Sequence, residues 1–299
     1  MNPIYHKLME EQKRNYNEIV AMATLEPGLK NVYVEGMSDY YLINNFLSHH
    51  DIKDVKVYEI EDIELDELYE NLSPATVSEL RNSKKEQVIL LAQSLERDLN
   101  ALNAPILCIV DLDWDKILNN VRVGLYLCYT DYNSMDMYLC NKEVVSRYFS
   151  QGHRIRTDLK DCLLRTLMGV CRELFHIHCL MHERSLQMVE NDKSFSFDKS
   201  NQTCSLDFNK YWKSVLMKNG LTASSALLKA EYTKRIMQPC ADLRMEVRGH
   251  DFVYYLFYCV KKLKPKMQMD DEEFSNMFWQ FADLDALKQE NMFVRLMAL

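Results

Sequence analysis

Five apolar residues, Ile106–Val110, run without interruption into three carboxylates at every second position, Asp111, Asp113 and Asp115. An unbroken apolar run of this length, ILCIV, marks a strand buried on both faces, the situation of a central strand in a parallel sheet covered by helices. The acids at its end repel one another, so grouping them there costs stability unless a cation or a specific partner is expected. Two further β-rich runs end in the same way. KNVYVEG ends at Glu35, with Asp39 one helical turn later, and VGLYLCYT (123–130) runs into Asp131, with Asp136 five residues on.

Around these runs the chain alternates strand-like and helix-like segments. Residues 4–24 read as an opening helix. SDYYLINNFLSHH reads as a helix with Ser38 as its N-cap, VKVYEIE as a second strand, EDIELDELYENL as an acidic helix, and 75–103 as one long helix. Strands alternating with helices imply βαβ units and a mainly parallel, Rossmann-like α/β sheet. From about residue 141 the period becomes helical, interrupted only by SFSF and TCSL as a small hairpin. The division expected is an N-terminal helix at 1–24, an α/β core at 25–150 and a helical lobe at 151–299.

In an open parallel sheet, functional residues collect at the carboxyl ends of strands, where strand order reverses. If the three acid-bearing strands are neighbours, their carboxylates converge on one rim. Hard oxygen ligands at that density suit Mg2+ or Mn2+. Asp111 and Asp113, two apart on an extended segment, point the same way and can grip one ion.

The order VEGMSD, IVDLDWD, YTDYNSMDMYL resembles the TOPRIM fold, which carries a Glu-Gly after its first strand, a D-x-D after a later one and a further acid. It is most similar to the OLD-like TOPRIM family that supplies the nuclease effector of antiviral systems pairing an ABC-type ATPase with a TOPRIM protein. That resemblance implies Glu35 as general acid/base or ligand, Asp111 and Asp113 as the metal ligands, and Asp39, Asp131 and Asp136 as the completion of a second ion site. Asp115 is the least secure of the acids, and Asp136 stands where the family commonly has Glu. The family further implies hydrolysis of nucleic-acid phosphodiester bonds with two ions, on RNA such as tRNA or on DNA, and control by the ATPase partner. No separate nucleophilic Tyr domain of the topoisomerase kind is visible. A HAD-type phosphatase also uses D-x-D, but there the motif follows the first strand, and Glu35 would have no role. The remaining alternative is a TOPRIM scaffold that only binds partners.

The late segment RGHDFVYYL, with Arg248, His250 and Asp251, matches the family's Gly-His-Asp, and VKKLKPK follows it. Arg248, His250, Lys261 and Lys262 are therefore candidate phosphate contacts, against a plain reading of Asp251 as a helix cap. His178 and His182 have the i, i+4 spacing of a zinc pair but no third ligand. Residues 1–150 carry a net charge of −11 and residues 151–299 one of +3, which permits a division between metal chemistry and polyanion binding. The nine scattered cysteines include no C-x-x-C pair and fit free thiols in a reducing compartment. No apolar run approaches the roughly 20 residues that span a bilayer. MNPIYHKLMEEQKRNY is too polar for a secretory signal core, so a cytoplasmic chain with no membrane role is expected. The apolar faces of VYYLFYCV and FWQFADLDAL exceed what a small sheet can cover, which predicts a homodimer through the helical lobe.

Overall fold

The computed structural model describes residues 13–70, 72–99, 102–155, 161–189 and 193–299. The chain divides into two units. One comprises Met1–Asp131 and Leu284–Leu299, the other Tyr132–Asp283.

The first unit is α/β. Its sheet contains β1 (Lys30–Val34), β2 (Val55–Glu59), β3 (Ile106–Val110) and β4 (Leu127–Tyr129), all parallel, in the order β2–β1–β3–β4. All five β3 residues are buried, as the unbroken apolar run requires. Strand alternation sends Tyr33, Ile106, Cys108 and Val110 to one face. There they pack against α1 (Tyr16–Leu25) and α4 (Lys84–Leu99) through Ile19, Ala23, Val88, Ala92 and Leu95. Helix α2 (Met37–His49) joins β1 to β2 and buries Leu42, Ile43 and Phe46. The chain leaves β1 toward β2 on one side and leaves β3 toward β4 on the other. The point where strand order reverses therefore lies between β1 and β3.

Several local expectations are corrected. Helix α1 begins at Tyr16, capped by Asn15, whose side chain accepts from Glu18 N at 2.8 Å. The expected helix start at residue 4 lies outside the described residues. The N-cap of α2 is Gly36, not Ser38, because Asp39 reaches back to accept from Gly36 N at 3.3 Å. The span 75–103 holds two helices, α3 (Pro74–Arg81) and α4, broken at Asn82–Ser83. The acidic stretch after β2 splits into a 3-10 turn (Ile60–Asp62), a short strand (Ile63–Glu64) paired with Arg14–Asn15, and one helical turn (Asp66–Tyr69).

The second unit is mostly helical. Helices α5 (Lys142–Arg147), α6 (Asp161–Glu183), α7 (Phe208–Lys218), α8 (Ser225–Ile236), α9 (Gly249–Leu263) and α10 (Asp271–Trp279) accompany the expected hairpin of β5 (Phe195–Asp198) and β6 (Thr203–Leu206). Its aromatic residues consume one another. Tyr148 packs on Phe274 and Phe278 with ring centroids 4.9 Å apart in each case. Phe252, Phe274 and Phe278 are all at most 1% exposed. Of the two apolar stretches on which a homodimer was expected, Phe278 and Trp279 and six of the eight residues of VYYLFYCV are buried.

The boundary at 150/151 also moves. The first unit ends at Asp131, and the chain returns to it at Leu284. The return is held by α11 (Asn291–Met297). Arg295 donates to the carbonyls of Leu127 and Leu125 at 2.9 and 3.3 Å, and Phe293 packs on Phe46 with centroids 4.6 Å apart. Among the described residues no helix is long and apolar enough to cross a membrane.

Candidate active site

Glu35 leaves the end of β1 and Asp111 the end of β3, so both stand at the reversal point of the sheet. Their contact is direct. Asp111 N donates to Glu35 Oε1 at 2.7 Å. Burial pushes the Glu35 carboxyl up to about 8, against the lowering pull of that N–H, and the charges of Asp113 and Asp39 push it further up. A buried carboxyl among acids is a site short of positive charge.

The segment after Asp111 turns sharply. Leu112 N donates to Thr130 Oγ1 at 3.0 Å, which ties the turn to the end of β4. Asp113 takes φ +48°, in the left-handed region that Asp tolerates better than most residues. Asp115 then opens a single helical turn, Asp115–Leu118.

Lys85, in the first turn of α4, is the charged neighbour that motif reasoning missed. Its Nζ lies 3.0 Å from Asp113 Oδ2, 2.8 Å from Asp115 Oδ2 and 3.3 Å from the Leu112 carbonyl. Its side chain is only 12% exposed. Burial alone would lower its pKa, but Asp113 and Asp115 outweigh that effect and hold it above the ordinary lysine value. Nothing in KKEQVILL distinguishes Lys85 from the neighbouring Lys84. Only the packing of α4 beside β3 brings it to the acids.

The expected acids thus divide. Glu35, Asp111 and Asp113 form the centre, with Asp39 close enough to raise Glu35 while it caps α2. Asp115 is held by Lys85. Asp131 is a helix cap. Its Oδ1 accepts from Asn291 N and Nδ2 at 3.2 and 2.8 Å, and its Oδ2 from Met292 N at 3.0 Å. Its placement there follows from α11 returning over the sheet edge.

Asp136 belongs to the second unit, half-buried against the start of α9, where burial pushes its carboxyl up to about 6. A Cβ on Gly249 would run into Asp136 Oδ2 and Ser134 Oγ. The glycine of RGHD is therefore required by close packing.

The four candidate phosphate contacts also lie in the second unit and do not form one group. Arg248 and His250 are at the start of α9 and Lys261 and Lys262 at its end, roughly 20 Å away at helical rise. Lys261 and Lys262 sit over the rings of Phe257 and Tyr258 at 4.3 and 5.0 Å. Arg248 lies 3.7 Å from Asp251, and His250 is exposed. Asp251 is in the first turn rather than at the cap, with Oδ2 3.3 Å from His178 Nδ1. His178 Nε2 is 2.9 Å from the Tyr211 hydroxyl, so both ring nitrogens are engaged and the zinc pairing with exposed His182 is not formed.

The donor set at the reversal point is all oxygen, as a hard divalent cation prefers, and the pull of Lys85 on Glu35 does not outweigh its burial and the charges of Asp113 and Asp39. In that sense the residues fit the ion. Glu35, Asp111 and Asp113 are not already drawn into a cage. Among the described residues, the only three metal-capable side chains with ligand atoms within 4.8 Å of one another are His49, His50 and Asp285, a mostly exposed cluster at the end of α2. No protein-family model and no curated protein matches this chain, so sheet topology and acid geometry are what bear on its chemistry.

Proposed function

We propose that the first unit is a TOPRIM-type catalytic core and that the protein hydrolyses nucleic-acid phosphodiester bonds with a divalent cation, Mg2+ or Mn2+. One observation carries the reading. A buried Glu35 with a raised proton affinity meets the backbone N–H of Asp111, the first acid of a D-x-D, across the reversal point of a four-stranded parallel sheet. Glu35, Asp111 and Asp113 would hold the ion. A bound divalent cation supplies water activation and neutralises charge developing on the phosphate. Burial raises Glu35 to about 8 in the empty site, and a bound cation would lower it toward the ionised form, which suits a carboxylate that serves as ligand or general base. The Asp111 N–H fixes the Glu35 carboxylate, and the Leu112–Thr130 bond fixes the turn that presents Asp113.

The resemblance of VEGMSD, IVDLDWD and YTDYNSMD to the effectors of ATPase–TOPRIM antiviral systems supports a narrower form of the proposal. In that form the substrate is RNA, such as tRNA, with DNA the alternative, and an ABC-type ATPase holds the nuclease inactive until released. Purified protein incubated with tRNA and with plasmid DNA in Mn2+ tests both levels. Cutting that stops with EDTA and with Glu35→Gln is expected. An intact Glu35→Gln protein that cuts as well as the wild type defeats the assignment of Glu35. A wild type that cuts neither substrate, alone or with the ATPase, defeats the nuclease reading.

A further inference from the structure

Lys85 is unusual among the lysines of the chain. All three of its ammonium protons have acceptors, on Asp113, Asp115 and the Leu112 carbonyl, and little of the side chain meets water. It approaches from α4, a helix anchored by Val88, Leu91, Ala92 and Leu95 in the sheet core, so its position is set by packing. On the far side Nζ lies 5.7 Å from the centre of the Tyr129 ring, on the edge strand. A monovalent cation covalently tied to the protein therefore occupies the space between the second and third acids of DLDWD.

The geometry points to Lys85 as a built-in substitute for a second metal ion, so that the site takes one divalent cation, held by Glu35 and Asp111 with Asp113 shared between the ion and the lysine. This rests on the reading of the site as a metal centre and revises the two-ion expectation drawn from the resemblance. Distance supplies the reason. A second ion at about 2.1 Å from Asp113 Oδ2, the oxygen that Lys85 already contacts at 3.0 Å, would lie within about 5 Å of Nζ. A second divalent ion between Asp113 and Asp115 would have to displace the ammonium, which contacts both acids. Like charges at that separation, in a partly dehydrated site, repel strongly. The role assigned to Lys85 is charge balance and the positioning of Asp113 and Asp115; it is not a proton carrier.

Counting bound Mn2+ tests this without reference to activity. Electron paramagnetic resonance of free Mn2+, titrated into the full-length protein at fixed pH and salt, should show one bound ion per chain. Lys85→Met should bind two, with its first ion held about tenfold or more tighter, and Lys85→Arg, which keeps the charge, should return the count to one. Lys85→Gln provides the same comparison if Lys85→Met does not fold. Two ions on the wild type, or one on a folded charge-removing variant, overturn the inference and leave the metal centre standing. No Mn2+ on the wild type overturns the metal-centre reading, and the inference falls with it.

Discussion

Glu35 and Asp111, 76 residues apart in sequence, are joined by a hydrogen bond of 2.7 Å from the Asp111 backbone to the Glu35 carboxylate. The bond crosses between two strands that are neighbours only because the sheet reverses its order there. The bond pulls the Glu35 carboxyl down, yet burial outweighs it and raises the group to about 8.

Replacing Glu35 by Gln removes the group that both binds and carries protons. We expect nuclease turnover to fall at least about a hundredfold, with circular dichroism unchanged. Initial rates on a labelled RNA, paired with a melt of the same sample, check this.

Metal-free protein should lose stability as pH rises from about 5 to about 8. The folded carboxyl of Glu35 titrates near 8 and the unfolded one near the ordinary 4.5. Between these values the folded state holds a proton that the unfolded state has released, so each step up in pH favours unfolding. The stabilisation is full below about 4.5 and gone above about 8, and amounts to a few kcal/mol at most. Urea melts in EDTA across this window should show the slope. Glu35→Gln should flatten it, and Mn2+ should offset the loss most at the alkaline end.

Asp131→Ala should destabilise the first unit by about 1 kcal/mol through loss of a helix cap, because its carboxylate takes the N–H groups of Asn291 and Met292. Mn2+ affinity should stay within about twofold of the wild type, since a cap is not a ligand. Calorimetric titration alongside a melt separates the two roles. A large loss of Mn2+ binding would restore Asp131 to the ligand set.

Gly249→Ala should destabilise the second unit by about 1–3 kcal/mol, because the added methyl meets Asp136 and Ser134. Ser134→Ala in the same chain should recover part of that loss by making room. Denaturant melts of the single and double variants measure the coupling.

Phe278→Glu should unfold the second unit instead of dissociating a dimer. Phe278 is 1% exposed and packs on Tyr148 and Phe252, and burying an unpaired carboxylate there removes the packing as well. Loss of near-ultraviolet circular dichroism at every protein concentration is the expected signature. A folded, concentration-independent monomer would contradict it.

Local sequence determined the parts that depend on neighbours along the chain. The uniform apolarity of Ile106–Val110 specified a strand covered on both faces, and it is one. The 3.6-residue pattern of HDFVYYLFYCVKKL specified α9, and the acids following β1 and β3 marked the strand ends that the sheet brings together. Pairing between distant segments was decided only by the tertiary structure. Asp131 follows a strand as Asp111 does, yet α11 returns over the sheet edge and turns it into a cap. Lys84 and Lys85 are alike in composition and context, but the rotation of α4 against β3 sends Lys85 to the acids, while Lys84 pairs with Glu61 at 2.8 Å. A carboxylate or an ammonium takes its role from which charges lie within a few ångströms, and those distances are set by packing between segments that periodicity cannot connect.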